Sequence, residues 1–235
     1  MKGTTPPRSM VASEIRSIRA EPPLRRIVGR NWTKADVLVH DIDGTRVAVK
    51  DYGARALIVR HTLGRWLVRR EVAAYEAAAG VAGLPRFHGR AGAFALVTEW
   101  LEALPLADHA PASAAPGWAD RLAAILDALH ARGVALGDLH QRDVLIDRAG
   151  GVHVVDLATA IVLGPHAGPI RRWLFDRLRD QDRVALARMR ARHAGEDEDE
   201  AVAQVGERAA RWYRRGRFVR RWLDRLRGKP DAAAR

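Results

Sequence analysis

Apolar and polar positions alternate with a strand period through residues 26–52. Val37-Leu38-Val39 and Arg46-Val47-Ala48-Val49-Lys50 are β-rich runs, and Asp43-Gly44 between them is a hairpin dipeptide. Over residues 56–79 the period turns helical, with Leu63, Trp66, Leu67 and Val72 at helical spacing. Gly64 is expected to interrupt an early segment there, and Arg69-Arg70-Glu71 to open the main helix. Gly80 and Gly83-Leu84-Pro85 stop it. Strand character returns in residues 87–101 as two runs about a turn at Arg90-Ala91-Gly92. Residues 103–116 are rich in alanine and proline and read as an irregular connection. Residues 118–132 form a helix with an apolar stripe of Leu122, Ile125, Leu126 and Leu129, and Gly133 sits at its C-cap.

The flanks differ from this frame. Residues 1–23 read as a loose arm with a short helix over 11–19, which puts Ile15 and Ile18 on one face before Pro22-Pro23 end it. Beyond Ala160, residues 182–192 suit an amphipathic helix with Val184, Leu186 and Met189 as its apolar side. The acidic run 196–200 reads as a solvated link. From Gly206 onward Trp212, Tyr213, Phe218, Trp222 and Leu226 are interleaved with arginines. Such a helix suits a membrane surface or nucleic acid, or packs its tryptophans on the body of the protein. The expected division is therefore an arm (1–23), a strand-rich lobe (24–101), a mainly helical lobe (102–194) and an acidic link with a basic aromatic helix (195–235).

The chemistry concentrates in residues 129–160, LHARGVALGDLHQRDVLIDRAGGVHVVDLATA. Asp138 follows Leu136-Gly137, Asp143 precedes Val144-Leu145-Ile146, and Asp156 ends the β-branched run 152–155. A loop, a strand, a turn at Ala149-Gly150-Gly151 and a second strand would gather three carboxylates into one cleft. Such a cluster suits a divalent cation and removal of a proton from a nucleophile. Upstream, Lys50 ends a strand and offers a point charge for phosphate, unless it is an ordinary surface lysine. Glu71 could reach back to hold its ammonium; Glu76, five residues on, lies on another helix face.

The chain of 235 residues has 48% hydrophobic content, enough for one core or two small lobes sharing a cleft. It has no cysteine, which excludes disulfides, thiolate metal sites and cysteine nucleophiles and fits a reducing compartment. No run of eighteen apolar residues and no secretory h-region occur, so a cytoplasmic protein is expected, with contact at the inner face of a membrane left open. The formal net charge of +12 points to a phosphate-bearing partner or to an arginine-rich genome.

VAVKDY, REVAAYEAA, LVTEWLE, LGDLHQRDVLID and VVDLATA occur in the order and spacing of the protein-kinase-like superfamily. Over about residues 24–190 the chain most resembles the small bacterial lipopolysaccharide kinases (Kdo/heptose kinases) and the RIO-type atypical serine/threonine kinases. The resemblance implies an α+β, two-lobed fold with a small antiparallel sheet plus helix above a mainly helical lobe. It implies ATP and Mg²⁺ as cofactors, and these roles: Lys50 on the α- and β-phosphates with Glu71 as its ion-pair partner; backbone groups of Glu99 and Leu101 on the adenine; Asp138 toward the acceptor hydroxyl; Asp143 and Asp156 on Mg²⁺. His140 would contact the γ-phosphate or brace the loop. Phosphoryl transfer needs mainly positioning and charge neutralisation, which explains these residue types.

Four features depart from the superfamily pattern. The stretch 29–35 has one glycine, Gly29; Asp143 stands where asparagine is usual; Asp156-Leu157-Ala158 lacks the glycine of DFG; and no APE-like motif follows. The expectation is a kinase acting on a lipopolysaccharide-core sugar, or alternatively a RIO-like protein kinase, or a pseudokinase that binds a partner. The basic tail would meet an anionic membrane surface; nucleic acid is not the expected partner.

Overall fold

The computed structural model of the chain describes residues 12–29, 34–110 and 114–211. Five antiparallel strands form the upper sheet: β1 (Arg25–Ile27), β2 (Asp36–Ile42), β3 (Thr45–Asp51), β4 (Phe87–Arg90) and β5 (Ala95–Glu99), in the order β1-β2-β3-β5-β4. The β2–β3 turn is the expected one. Asp43 and Gly44 both adopt left-handed backbone (φ 51° and 79°), and Asp41 Oδ1 accepts the Gly44 N–H at 2.8 Å. Strand parity then sorts β3. Val47 and Val49 are wholly buried on one face, and Lys50, one residue on, emerges on the other.

The buried face of β3 is covered by residues from the N-terminal arm. Helix α1 (Ala12–Ser17) runs into a 3₁₀ turn (Ile18–Ala20), and Ile15 and Ile18 pack with Val47, Val49, Ala91, Ala95 and Val97. Arg19 adds an ion pair to Asp51 at 2.8 Å. These residues are therefore a layer of the upper lobe, contrary to the expected loose arm. Two isoleucines on one face were enough to bury it.

The helix beneath the sheet starts earlier than expected. It runs through α2 (Leu57–Val59), a π-turn (Arg60–Gly64) and α3 (Arg65–Ala77) without a break. Gly64 does not stop it: a Cβ there would lie 2.9 Å from Tyr52 Cβ, so the glycine lets Tyr52 approach the helix. Beyond Glu99 the chain crosses through β6 (Ala103–Pro105) and a short 3₁₀ turn (Leu106–Asp108), ordered pieces within the stretch read as irregular.

The lower lobe is built on helices α4 (Trp118–Ala131) and α5 (Pro169–Ala194). Between them lie β7 (Val134–Ala135), β8 (Val144–Asp147), β9 (Val152–Val154) and β10 (Ile161–Val162). β8 pairs with β6 and β9, and β10 pairs with β7. α5 is one 26-residue helix where a shorter segment was expected. Its buried positions include Phe175, Asp182, Val184, Met189 and Ala191. One core joins the lobes: Tyr52, Val68, Val72, Tyr75 and Leu96 pack in the same cluster as Leu122, Leu126, Leu129, Val144, Ile146 and Leu157.

The acidic run is largely exposed, as expected, but it caps and starts a helix and is not a mere link. Asp197 caps α6 (Glu198–Val205) by accepting the N–H groups of Asp199 (2.6 Å) and Glu200 (3.1 Å), and Glu198 pairs with Arg188 and Arg192 of α5. Acidic residues gather there because a helix N-terminus and two arginines favour negative charge. Of the basic aromatic stretch expected from Gly206 onward, residues 212–235 lie outside the described residues. Among the described residues no helix is long and apolar enough to cross a membrane.

Candidate functional site

Lys50 leaves β3 on the face that looks down on the lower lobe. Its ammonium lies 2.8 Å from Glu71 Oε2 and 2.6 Å from Asp156 Oδ1. Glu71 sits on α3 and is 1% exposed; Glu76 faces solvent. The choice between the two glutamates is settled by helix phase, because only Glu71 shares the buried side with Val68, Val72 and Tyr75. Burial alone would lower the Lys50 pKa. The two carboxylates outweigh it and hold the group above its ordinary value, so the ammonium stays charged.

Asp156 follows β9 with left-handed backbone, φ 66°. A non-glycine residue pays for this conformation, and here the turn points its carboxylate at Lys50. Burial would raise its pKa; the Lys50 ammonium and its hydrogen bond hold it below the ordinary carboxylate value. Asp143 behaves oppositely. Burial and the neighbouring Asp156 charge push it up to about 6, although its Oδ2 accepts the His140 N–H at 3.1 Å. A carboxylate whose proton affinity is raised by a neighbouring carboxylate is relieved by a dication between the two.

Asp138 stands at the mouth, more than half exposed, with His140 Nε2 at 3.1 Å from its Oδ1. That contact lets His140 brace the loop. A cavity of about 370 Å³ joins these groups; Lys34, Lys50, Asp138, His140, Asp143 and Asp156 line it, with Tyr52, Leu63, Leu67, Ala158 and Thr159 as walls. A cavity of about 400 Å³ near His130, Leu163 and Phe175 holds none of the aspartates and is not part of this site.

Glu99 and Leu101 do not line the cavity. The Glu99 N–H donates to the Arg86 carbonyl at 2.8 Å, and its side chain accepts the Arg86 N–H at 3.2 Å. The Leu101 carbonyl accepts the Ala103 N–H at 2.9 Å. Both residues sit in the strand end and crossing that join the lobes.

Three contributors escaped the sequence. Asp182 of α5 is fully buried and accepts the N–H groups of Leu136 (2.9 Å) and Gly137 (2.7 Å), the two residues before Asp138; His130 Nε2 lies 2.9 Å from the same carboxylate. Gly137 itself has φ 76°, and a Cβ there would sit 2.7 Å from Leu178, so both backbone and space require glycine. The signal for Asp182 was its place on the stripe Phe175, Leu178, Asp182, Met189, where a carboxylate has no reason to be unless it holds something. Lys34 is the second: it adds positive charge facing Asp143 and Asp156. Arg70 is the third. Its guanidinium donates to the carbonyls of Thr159 (2.9 Å) and Ala160 (3.0 Å), tying the helix of Glu71 to the segment after Asp156.

Among the described residues no cluster of three or more acidic or histidine side chains forms a closed metal cage. Asp143 and Asp156 fit Mg²⁺ in the way that ion binds with nucleotides, by one or two carboxylates with phosphate oxygens and water completing the shell.

No family model matches the sequence, and no curated protein matches it. Among solved structures, the chain is similar to the Rio2 kinase of Chaetomium thermophilum, solved as an ADP/Mg²⁺-phosphoaspartate complex, with a TM-score of 0.52 and 20% identity. The match covers 73% of this chain and 56% of that one, so the chain spans little more than half the length of that kinase. At this identity the likeness shows the fold, a two-lobed protein-kinase-like α+β architecture.

Proposed function

We propose that this chain, with its protein-kinase-like fold, is an ATP-dependent phosphotransferase that moves the γ-phosphate to a hydroxyl. The observation that carries the reading is Lys50, held by Glu71 and Asp156 at 2.8 and 2.6 Å in a cavity that Asp138 and Asp143 also line. Lys50 and Lys34 would hold phosphate oxygens. Asp143 and Asp156 would hold Mg²⁺, which supplies charge neutralisation on the phosphates when bound. The adenine would lie beyond that cavity, against the backbone of Glu99 and Leu101 in the crossing between the lobes. Asp138, exposed at the mouth, would orient the acceptor hydroxyl and receive its proton, with His140 steadying its carboxylate.

For the acceptor we favour a sugar hydroxyl of the lipopolysaccharide core, met by a cytoplasmic protein resting on the inner membrane; the resemblance to lipopolysaccharide kinases and the charge of +12 support it. A second reading, a RIO-like protein serine/threonine kinase, is favoured by the structural likeness to Rio2 kinase. Purified protein, labelled ATP and Mg²⁺ are incubated with core oligosaccharide or with protein extract. Label in oligosaccharide is expected, and label confined to protein would give the case to the second reading. Asp138→Ala should lower turnover by at least about a hundredfold while ATP binding persists. Wild-type protein that neither binds ATP nor turns it over would leave only a pseudokinase that binds a partner.

A further inference from the structure

Two exposed apolar faces meet beside the cleft. On the α2–α3 helix Leu57, Ile58 and Trp66 are 65%, 76% and 50% exposed. The π-turn between them takes up an extra residue, which brings Ile58 and Trp66 back to about the same side. On the first turns of α5, Ile170, Trp173 and Leu174 are 80%, 57% and 38% exposed, and their i, i+3, i+4 spacing makes one stripe. The segment 159–162 lies between the two faces. Arg70 donates to Thr159 and Ala160, Arg171 donates to the Val162 carbonyl at 2.7 Å, and the Arg70 guanidinium lies 4.4 Å over the Trp66 ring. Leu63 and Leu67 of the same helix, with Thr159, line the cleft, so this face adjoins its mouth.

Its charge is predominantly positive, and the nearby Asp176 is already paired with Arg179 at 3.1 Å. Residues 57–70 hold four arginines and no acid, and residues 165–175 hold two arginines and no acid. Arg65, Arg69, Arg70, Arg171 and Arg172 enter no ion pair among the described residues. Exposed tryptophans and aliphatics ringed by arginines that have no carboxylate partner suit an interface with anionic headgroups above and acyl chains below. Nucleic acid would meet the arginines and tryptophans but would leave Ile58 and Ile170 in water. Residues 212–235 carry nine basic and two acidic side chains, the same sign as this face, which disfavours them as its cover.

The geometry points to a docking face for a bilayer surface containing anionic phospholipids, formed by Ile58, Trp66, Ile170, Trp173 and Leu174 with Arg70 and Arg171 among them, and turning the cleft mouth toward that surface. It rests on the phosphotransferase reading only for why the mouth should face a membrane. Vesicle binding is measured without nucleotide, so the two can fail separately. Full-length protein is floated with vesicles of phosphatidylcholine alone or of equal parts phosphatidylcholine and phosphatidylglycerol. It should bind the anionic vesicles only. The triple variant Trp66→Ser, Ile170→Ser, Trp173→Ser should bind them at least about tenfold more weakly with its melting temperature unchanged. Wild-type protein that binds neither vesicle, or both equally, overturns the proposal. So does a triple variant that binds like wild type, including the case where deleting residues 212–235 alone abolishes binding.

Discussion

Asp182 shows how much one buried side chain can organise. It accepts two backbone N–H groups immediately before Asp138 and meets His130, all without solvent. Asp182→Asn puts an amide N–H against donors, and at least one backbone group loses its acceptor. The variant should lose about 3 kcal/mol of stability, read as a shifted urea midpoint, and turnover should fall with it. Asp143 makes a pH prediction. Its folded pKa of about 6 lies above the ordinary aspartate value, so the folded state holds this proton where the unfolded state has released it. Stability therefore drops as pH rises from about 4 to about 6, and the penalty stays above that. Asp143→Asn, melted in the presence of a chelator, should gain on wild type through that window and keep a constant advantage at higher pH. A difference flat from pH 4 to 7 would remove the raised pKa from the account.

At the scale of elements, α1 and β3 illustrate how a short amphipathic segment becomes structural. Ile18 is fully buried against the valines of β3, on the face opposite Lys50. Ile18→Ala should cost about 2–4 kcal/mol, as for a core aliphatic; an unchanged denaturation midpoint would return the segment to the status of a loose arm. The same parity argument explains why the sheet can be sealed behind and functional in front. Each residue step along β3 flips the side chain, so one strand supplies core to α1 and a cation to the cleft. On the other side of the cleft, Arg70 makes the α3 helix and the segment after Asp156 one mechanical unit.

Across the cleft, Lys34 and Lys50 of the upper lobe face Asp138, Asp143 and Asp156 of the lower. Lys50 and Asp156 come from opposite lobes and touch at 2.6 Å. Nucleotide phosphates and a dication would enter between charges already held in place, which limits the reorganisation that binding requires. ADP with Mg²⁺ should thus stabilise the fold, by about 2.7 kcal/mol at a hundredfold excess over Kd. In a thermal shift assay the Mg²⁺-dependent part should vanish in Asp156→Asn. A melting temperature indifferent to ADP and Mg²⁺ in wild type would remove the nucleotide from the reading.

Whatever depends on neighbours a few residues away can be read from the chain alone. The Asp43-Gly44 turn, the parity that separates Val47 and Val49 from Lys50, the α4 stripe and the order of the aspartates were all legible, because turn residues and side-chain period act locally. Lys50 with Glu71 was legible as well, since helix phase selects Glu71 over Glu76. Asp182 was not: its partners are 46 and 45 residues away, and no local pattern says which backbone a buried carboxylate will hold. The continuity of the helix through Gly64, the docking of residues 12–20, and the tie from Arg70 to residues 159 and 160 belong to the same class. Each depends on a surface that exists only once distant segments have packed, so the packed fold was needed to reveal them.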